Sequence, residues 1–308
     1  MSGLVLALDL GGTDLKAALV TPHGALVAFE RVPSRAAEGP EGPLLAMDEA
    51  RARLAAAGAA VRAVGVGSPG AVDPLDGSLV GRTAHLPCWD SFPLRARLED
   101  RYGLPVAADN DANLAALAEH RLGAARGARA SLTVTIGTGV GCGIVMDGRV
   151  VHGARGGAGE LGHLPLGRDG ARCPCGVEGC VEPEMSGGGL AARARAAGLD
   201  CPDAATVFAF AAKGELRARA LVEHLADRLG AALATAVNLL NPEVVVVGGG
   251  VGQAGEALLA PVRSALERYA LASHRLGLRV VPAALGERAG VTGAGLAAWD
   301  LLARAPAA

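Results

Sequence analysis

Leu4-Val5-Leu6-Ala7-Leu8-Asp9-Leu10-Gly11-Gly12-Thr13-Asp14-Leu15-Lys16-Ala17-Ala18-Leu19-Val20 reads as strand, glycine turn, strand. The apolar run 4–8 stops at an aspartate, two glycines and a threonine, and residues 16–20 resume it, which is the pattern of a β-hairpin. The same plan restarts at Ser131–Ile136, where threonine alternates with apolar residues. Gly137-Thr138-Gly139-Val140-Gly141-Cys142-Gly143 then turns into the apolar Ile144-Val145-Met146. Asp147-Gly148 suits a two-residue hairpin turn, so Arg149-Val150-Val151 continues as a third strand. Two segments, 4–20 and 131–151, thus open alike, and a duplicated α/β unit facing a shared cleft is the natural expectation.

Between and beyond these hairpins, helical patterns occupy 44–60, 94–102, 112–122, 186–198, 203–212, 215–240, 255–268 and 293–304. Strands are expected at 63–66, 105–108, 244–247 and 278–281. Residues 153–185 are glycine-rich with little periodicity, the mark of a long functional or metal-stapled loop.

The chain has 308 residues, enough for two domains or one large one. Aromatics make up 3%, so the core rests on Ala, Val and Leu. A formal charge of −2 with no Lys/Arg block leaves no electrostatic footprint for nucleic acid. No stretch reaches the roughly 18 apolar residues of a membrane span, and Met1-Ser2-Gly3 lacks the basic region of a signal peptide. The expectation is a cytoplasmic protein with small-molecule partners and no membrane or nucleic-acid partner.

Neither glycine loop is a Walker A, since no Gly-Lys-Ser/Thr occurs. Neither is a dinucleotide fingerprint, because a strand and not a helix follows. Ser68 is not a nucleophile elbow, as Val66 stands where the first glycine belongs. What remains is two hairpin loops offering backbone N–H groups and the hydroxyls of Thr13 and Thr138, a concavity suited to phosphate oxygens. Asp9 at a strand end can hold a hydrated Mg²⁺. Singly, each loop is an ordinary tight turn; together with Gly248-Gly249-Gly250 they favour a phosphate site.

His163, Cys173, Cys175 and Cys180 offer one imidazole and three sulfurs, the donor set of a closed structural Zn²⁺ shell. The alternative, a disulfide, leaves one of the three cysteines unpaired and suits a cytosolic chain poorly. Asp109-Asn110-Asp111-Ala112-Asn113 sits where a strand meets a helix, and on spacing alone helix capping is the favoured reading.

With these motifs in order, the chain resembles the ROK family of sugar kinases and repressors, within the actin-like ATPase superfamily. Asp9-Leu10-Gly11-Gly12-Thr13 is similar to its first phosphate motif, Ile136-Gly137-Thr138-Gly139-Val140-Gly141 to its second, and Val247-Gly248-Gly249-Gly250 to its adenosine motif. Gly159-Glu160-Leu161-Gly162-His163 followed by Cys-x-Cys-Gly-x-x-Gly-Cys-x-Glu resembles its zinc motif. The resemblance spans residues 4 to about 303. It implies an α/β two-domain actin-like ATPase (ribonuclease H-like) fold with an interdomain cleft and a zinc-stapled loop. Residues 1–112 plus 294–308 would form the N-terminal domain, and 113–293 the larger C-terminal domain. The last helix would cross back onto the first domain.

The same resemblance reverses the capping reading and makes Asp111 the general base that accepts a sugar hydroxyl proton. It implies sugar contacts from Gly67, Ser68, His85, Asn110, Glu160, His163 and Glu182, and nucleotide contacts from Asp9, Gly11, Gly12, Thr13, Lys16, Thr138, Gly139, Gly248, Gly249 and Gly250. ATP with Mg²⁺ is the implied donor, polyphosphate the alternative, and Zn²⁺ the structural metal. A hexose is the implied acceptor, glucose first, with N-acetylmannosamine and fructose next. The repressors of the family carry an N-terminal DNA-binding segment by resemblance, for which Asp9 leaves no room, and a non-catalytic sugar sensor is the further alternative. A homodimer or homotetramer is the implied assembly. Two departures stand out: His85 occupies a place where glucokinase-like members carry Asn, and Glu184 replaces a small residue, which adds a charge near the expected pocket.

Overall fold

The structure, a computed structural model, describes residues 3–55, 60–83, 86–166 and 172–304. By internal contacts the chain divides into one unit of Met1–Ala118, Val150–Ala158 and Arg288–Ala308, and a second of Glu119–Arg149 and Gly159–Glu287.

The first unit opens with β1 (Leu4–Leu10), β2 (Asp14–Val20) and β3 (Leu26–Pro33), followed by α1 (Gly42–Ala55) and β4 (Val61–Ser68). A small hairpin of β5 (Arg82–Thr83) and β6 (Leu86–Asp90), then α2 (Leu94–Tyr102) and β7 (Val106–Asn110), lead into α3 (Asp111–Leu122). The sheet order is β3-β2-β1-β4-β7, antiparallel through the first three strands and parallel from β1 to β7. Strand β1 is apolar from Leu4 to Leu8 because both its faces are covered. Leu6, Leu8 and Leu10 pack with Leu44, Met47 and Leu98 of α1 and α2. Val5 and Ala7 pack on the other face with Val291, Ala294 and Ala298. The parallel half of a sheet needs exactly such two-sided cover, which a run without alternation announces.

The second unit repeats the plan with β8 (Ala130–Ile136), β9 (Val140–Met146), β10 (Arg149–Val150), β11 (Val244–Gly248) and β12 (Arg279–Pro282), in the order β10-β9-β8-β11-β12. Strands β8 and β9 are antiparallel, while β11 runs parallel to β8 and β12. Asp147 and Gly148 both take positive φ, the conformation that a tight hairpin requires. Between β10 and β11 come α4 (Glu182–Met185), α5 (Gly187–Ala196), α6 (Ala204–Ala212) and the long α7 (Leu216–Leu240). After β11 come α8 (Gly249–Gly252), α9 (Glu256–Tyr269) and α10 (Ala272–Arg275). Glu119, fully buried near the end of α3, accepts backbone N–H bonds from Ala124 (2.8 Å), Ala284 (3.2 Å) and Leu285 (2.7 Å). A buried carboxylate persists when donors replace its lost water in this way.

The final helix, α11 (Ala289–Arg304), packs on the first sheet. It starts four residues before the expected 293, and Gly65 of β4 lets it approach: a Cβ there would lie 1.8 Å from the Ala294 carbonyl oxygen. Strand β3 was not expected at all. It is an edge strand with one buried residue in eight, and its apolar run, Leu26-Val27-Ala28-Phe29, is short. Among the described residues, no helix is long and apolar enough to cross a membrane.

Candidate functional site

Parallel strands end together, and the carboxyl ends of β1, β4 and β7 supply most of the expected residues of the first unit. Asp9 of β1 pairs in register with Gly67 of β4, and Gly67 with Asp109 of β7; Ser68 pairs with Asn110. Gly67 is the gap of this rung. A Cβ built on it would lie 3.5 Å from the Asp111 Cα and 3.6 Å from Asp9 Oδ1. Asp9 and Asp111, 102 positions apart in the numbering, therefore flank one glycine.

Asp9 is largely buried, with 13% of its side chain exposed, and Lys16 Nζ lies 3.7 Å from its Oδ2. Burial pushes its carboxyl above the usual range, while the Lys16 charge pulls the other way. Gly290, the second residue of α11, sits directly on the carboxylate: a Cβ there would lie 2.5 Å from Oδ2. The adjoining hairpin loop is braced by Gly11 N donating to Asp14 O (2.8 Å) and Ser34 Oγ donating to Gly12 O (2.9 Å). Gly12 and Thr13 are exposed.

At the start of α3 the capping reading of Asn110 holds. Asn110 Oδ1 accepts from Ala112 N (2.9 Å) and Asn113 N (3.1 Å), so it caps the helix, and its Nδ2 donates to Gly70 O (3.0 Å). One Nδ2 hydrogen is left over for a ligand. Asp111 is half-buried, and its Oδ1 accepts from Ala112 N at 2.8 Å. Ser68 is fully buried, its hydroxyl donating to Pro69 O at 3.2 Å. Asp109 accepts from Asn110 N (2.7 Å) and Asn113 Nδ2 (2.9 Å), and its Oδ2 lies 2.7 Å from His152 Nε2. His152 escaped the sequence reading because nothing in its own neighbourhood marks a partner 43 positions away.

In the second unit, the loop Gly137–Gly139 joins β8 to β9, and Thr138 is exposed at its tip. Gly249, at φ 77°, presses against the end of β8: a Cβ would lie 2.4 Å from Ile136 O. This close approach brings Gly248–Gly250 beside Gly137–Gly139. Gly187 N donates to Gly137 O (2.8 Å), so the start of α5 steadies the same loop. Gly249 thus lies against Ile136, the last residue before the Gly137–Gly139 loop.

His163, Cys173, Cys175 and Cys180 place their donor atoms within 4.8 Å of one another. Cys173 Sγ lies 3.6 Å from His163 Nδ1, and Cys175 Sγ 3.6 Å from Cys180 Sγ. Tetrahedral Zn–S and Zn–N bonds imply donor separations of about 3.6–3.8 Å. The four residues therefore fit a zinc ion in chemistry and in spacing, and 3.6 Å is too long for a disulfide. With Nδ1 turned to the cluster, His163 Nε2 faces Glu160, 3.7 Å from its Oε2. The Glu160 side chain is 49% exposed. Burial of its inner part lifts its carboxyl above the usual range, against the pull of His163 and with the push of Glu182. Glu182 Oε2 accepts from Val140 N (2.9 Å), which ties this carboxylate to the end of the second glycine loop.

Glu184 does not bring the extra pocket charge expected of it. It is buried, with His224 Nε2 at 2.9 Å and Arg193 Nη1 at 3.6 Å from its Oε2. His85 lies outside the described residues.

The chain matches the ROK family over residues 5–300. A glucokinase of Halalkalibacterium halodurans is 36% identical to it over 311 residues, covering 94% of this chain and 93% of the relative. An N-acetylmannosamine kinase of Citrobacter koseri is 39% identical over 264 residues, covering 84% and 87%. Among solved structures, a ROK family glucokinase from Streptomyces griseus in complex with glucose and AMPPNP superposes with a TM-score of 0.86 at 33% identity, covering 97% of this chain and 100% of that one.

Proposed function

This chain belongs to the ROK family and has the actin-like ATPase fold of its sugar kinases, and from that premise we propose that it transfers the γ-phosphoryl group of ATP to glucose, forming glucose 6-phosphate and ADP. Phosphorylation of a sugar is what its relatives share; glucose as the sugar and Asp111 as the base are the finer reading. The observation that carries it is the pair of aspartates flanking Gly67, Asp9 through its carboxylate and Asp111 through its Cα. One of them, Asp9, adjoins a glycine hairpin suited to phosphate; the other, Asp111, opens a helix.

Phosphoryl transfer asks mainly for positioning and for neutralised charge. Asp111 accepts the proton of the attacking sugar hydroxyl as that oxygen meets the γ-phosphorus. Backbone N–H groups and hydroxyls of Gly11–Thr13 and of Thr138–Gly139 cradle phosphate oxygens, with Lys16 adding positive charge. Gly248, Gly249 and Gly250 leave room for the adenosine. Asp9 offers the hard carboxylate oxygen that Mg²⁺ takes through its water shell, and the ion neutralises phosphate charge when bound.

Glu160 and Glu182 accept hydrogen bonds from vicinal sugar hydroxyls, an arrangement that an ionised carboxylate suits. His163 Nε2 and the remaining Nδ2 hydrogen of Asn110 are the matching donors, while Gly67 and Ser68 form a wall. His163, Cys173, Cys175 and Cys180 hold Zn²⁺ as a closed structural shell, which pins the loop bearing Glu160 and Glu182. The first unit supplies the first phosphate loop and the base, the second unit the second phosphate loop, the zinc shell and the adenosine motif. Membership in the family also implies a homodimer or homotetramer.

N-acetylmannosamine is the second reading, favoured by the 39% identity to a kinase of that sugar. A coupled ADP-release assay across glucose, mannose, fructose, N-acetylglucosamine and N-acetylmannosamine tests both, with polyphosphate run beside ATP. The highest kcat/KM is expected with glucose and ATP. A higher value with N-acetylmannosamine transfers the assignment to that sugar, and no release with any sugar would make the protein a sensor.

A further inference from the structure

Asp109 is a junction. One of its oxygens serves the first turn of α3, taking Asn110 N at 2.7 Å and Asn113 Nδ2 at 2.9 Å. Its other oxygen meets His152 Nε2 at 2.7 Å. The histidine belongs to Val150–Ala158, a strap that packs with the first unit although the residues on either side belong to the second. Both carboxylate and imidazole are mostly shielded, with side-chain exposures of 14% and 30%.

The strap is held along its length. Ala158 N donates back to His152 O at 3.1 Å, which folds it into a closed loop. Gly156, at φ 77°, lies against the segment after β4, where a Cβ would stand 2.0 Å from Val72 O. Two residues past the strap comes Glu160, and two residues past Asp109 comes Asp111. Asn113 depends on the same junction. It is 1% exposed, and its Oδ1 is buried without a hydrogen-bond partner among the described residues. Its Nδ2 bond to Asp109 is therefore what orients its amide.

We propose that His152 is a positioning residue for phosphoryl transfer: by donating from Nε2 to Asp109 Oδ2 it locks the Asp109–Asn113 turn and so aims the Asp111 carboxylate. The inference rests on the reading of Asp111 as base. The hydrogen bond to Asp109 favours the charged imidazole and raises its pKa above the ordinary value, against the effects of burial and of Arg304. Charge-assisted bonds of this length are the strong ones, which suits a clamp. His152 needs no contact with the substrate to act. A loss of about 1 Å in aim costs on the order of 10²-fold in rate.

The test compares His152→Leu, which removes the donor, with His152→Gln, which keeps an N–H at similar reach. Steady-state kcat and KM for the sugar, and the thermal midpoint, are measured on the full chain. The inference expects His152→Leu to lower kcat by at least about tenfold with sugar KM within about twofold. It expects His152→Gln to recover most of that rate, with midpoints close to wild type for both. His152→Met makes the same comparison should the leucine variant not fold. Wild-type kcat in the leucine or methionine variant overturns the inference, as does a rate loss that glutamine fails to rescue. Asp111→Asn separates the two readings: if it is inactive while His152→Leu is not, this inference alone fails. If Asp111→Asn keeps its rate, the base assignment fails first.

Discussion

Replacing Gly290 by alanine should silence the enzyme without unfolding it. The added methyl would stand 2.5 Å from Asp9 Oδ2, 2.7 Å from its Cγ and 2.8 Å from its Oδ1. Ordinary contacts begin at 3.4 Å, so the carboxylate must retreat by roughly 1 Å. The obstructing atoms belong to a side chain and not to backbone, so a turn of Asp9 away from its rotamer, at about 0.5–1.5 kcal/mol, relieves the contact. Gly290 lies within α11 at a φ that any residue adopts, and alanine is the better helix former by up to about 1 kcal/mol. The two terms roughly cancel, so stability should stay within about 1 kcal/mol of wild type. Catalysis has no such compensation. A displacement of about 1 Å in a positioned group costs on the order of 10²-fold, equivalent to about 2.7 kcal/mol in the barrier. The assay is coupled ADP release at saturating sugar with Mg·ATP varied, run beside a thermal melt. An unchanged midpoint with kcat reduced by about two decades is the expected result. A variant that turns over at the wild-type rate would refute the claim that Asp9 works in the site.

Two further outcomes follow from other parts of the molecule. The purified protein should carry one zinc ion per chain, and chelation or Cys175→Ser should remove it, lower the thermal midpoint and abolish activity; a metal-free sample with full stability and rate would contradict the shell. Asp227 offers a test by pH. Burial alone would raise its carboxyl, but hydrogen bonds from Arg228, Arg268 and Tyr269 bring it down from 3.8 to about 2. Because the folded value is the lower one, its stabilisation is fully present above the unfolded pKa and fades as pH falls toward the folded one. Asp227→Asn should therefore cost roughly 2 kcal/mol at pH 7 and about half of that at pH 3, measured by urea unfolding. An equal cost at both pH values would show that the carboxylate is not held in its charged form.

What the sequence discloses is what short-range pattern can carry. The two glycine hairpins, the apolar strand β11, the long helix α7 and the cysteine cluster each lie within a few dozen residues and carry their own signal. At the Asn110-Asp111 motif local spacing discloses the cap, which Asn110 makes, but not the place of Asp111 beside Gly67, which the fold sets. Strand β3 went unseen because it is an edge strand whose short apolar run, Leu26–Phe29, gives way to Glu30 and Arg31. The approach of Gly290 to Asp9 and the bond between His152 and Asp109 join positions that only the folded sheet brings together. Glu184 was misjudged for the same reason: its partners His224 and Arg193 come from α7 and α5, which the local sequence cannot reveal.

The account rests most heavily on Asp111, and Asp111→Asn tests it most directly, with glucose phosphorylation and glucose binding measured on the same sample. Loss of a general base predicts a kcat lower by about 10²–10⁴-fold with sugar affinity held within a few-fold. A variant that binds glucose and phosphorylates it at the wild-type rate would contradict the mechanism.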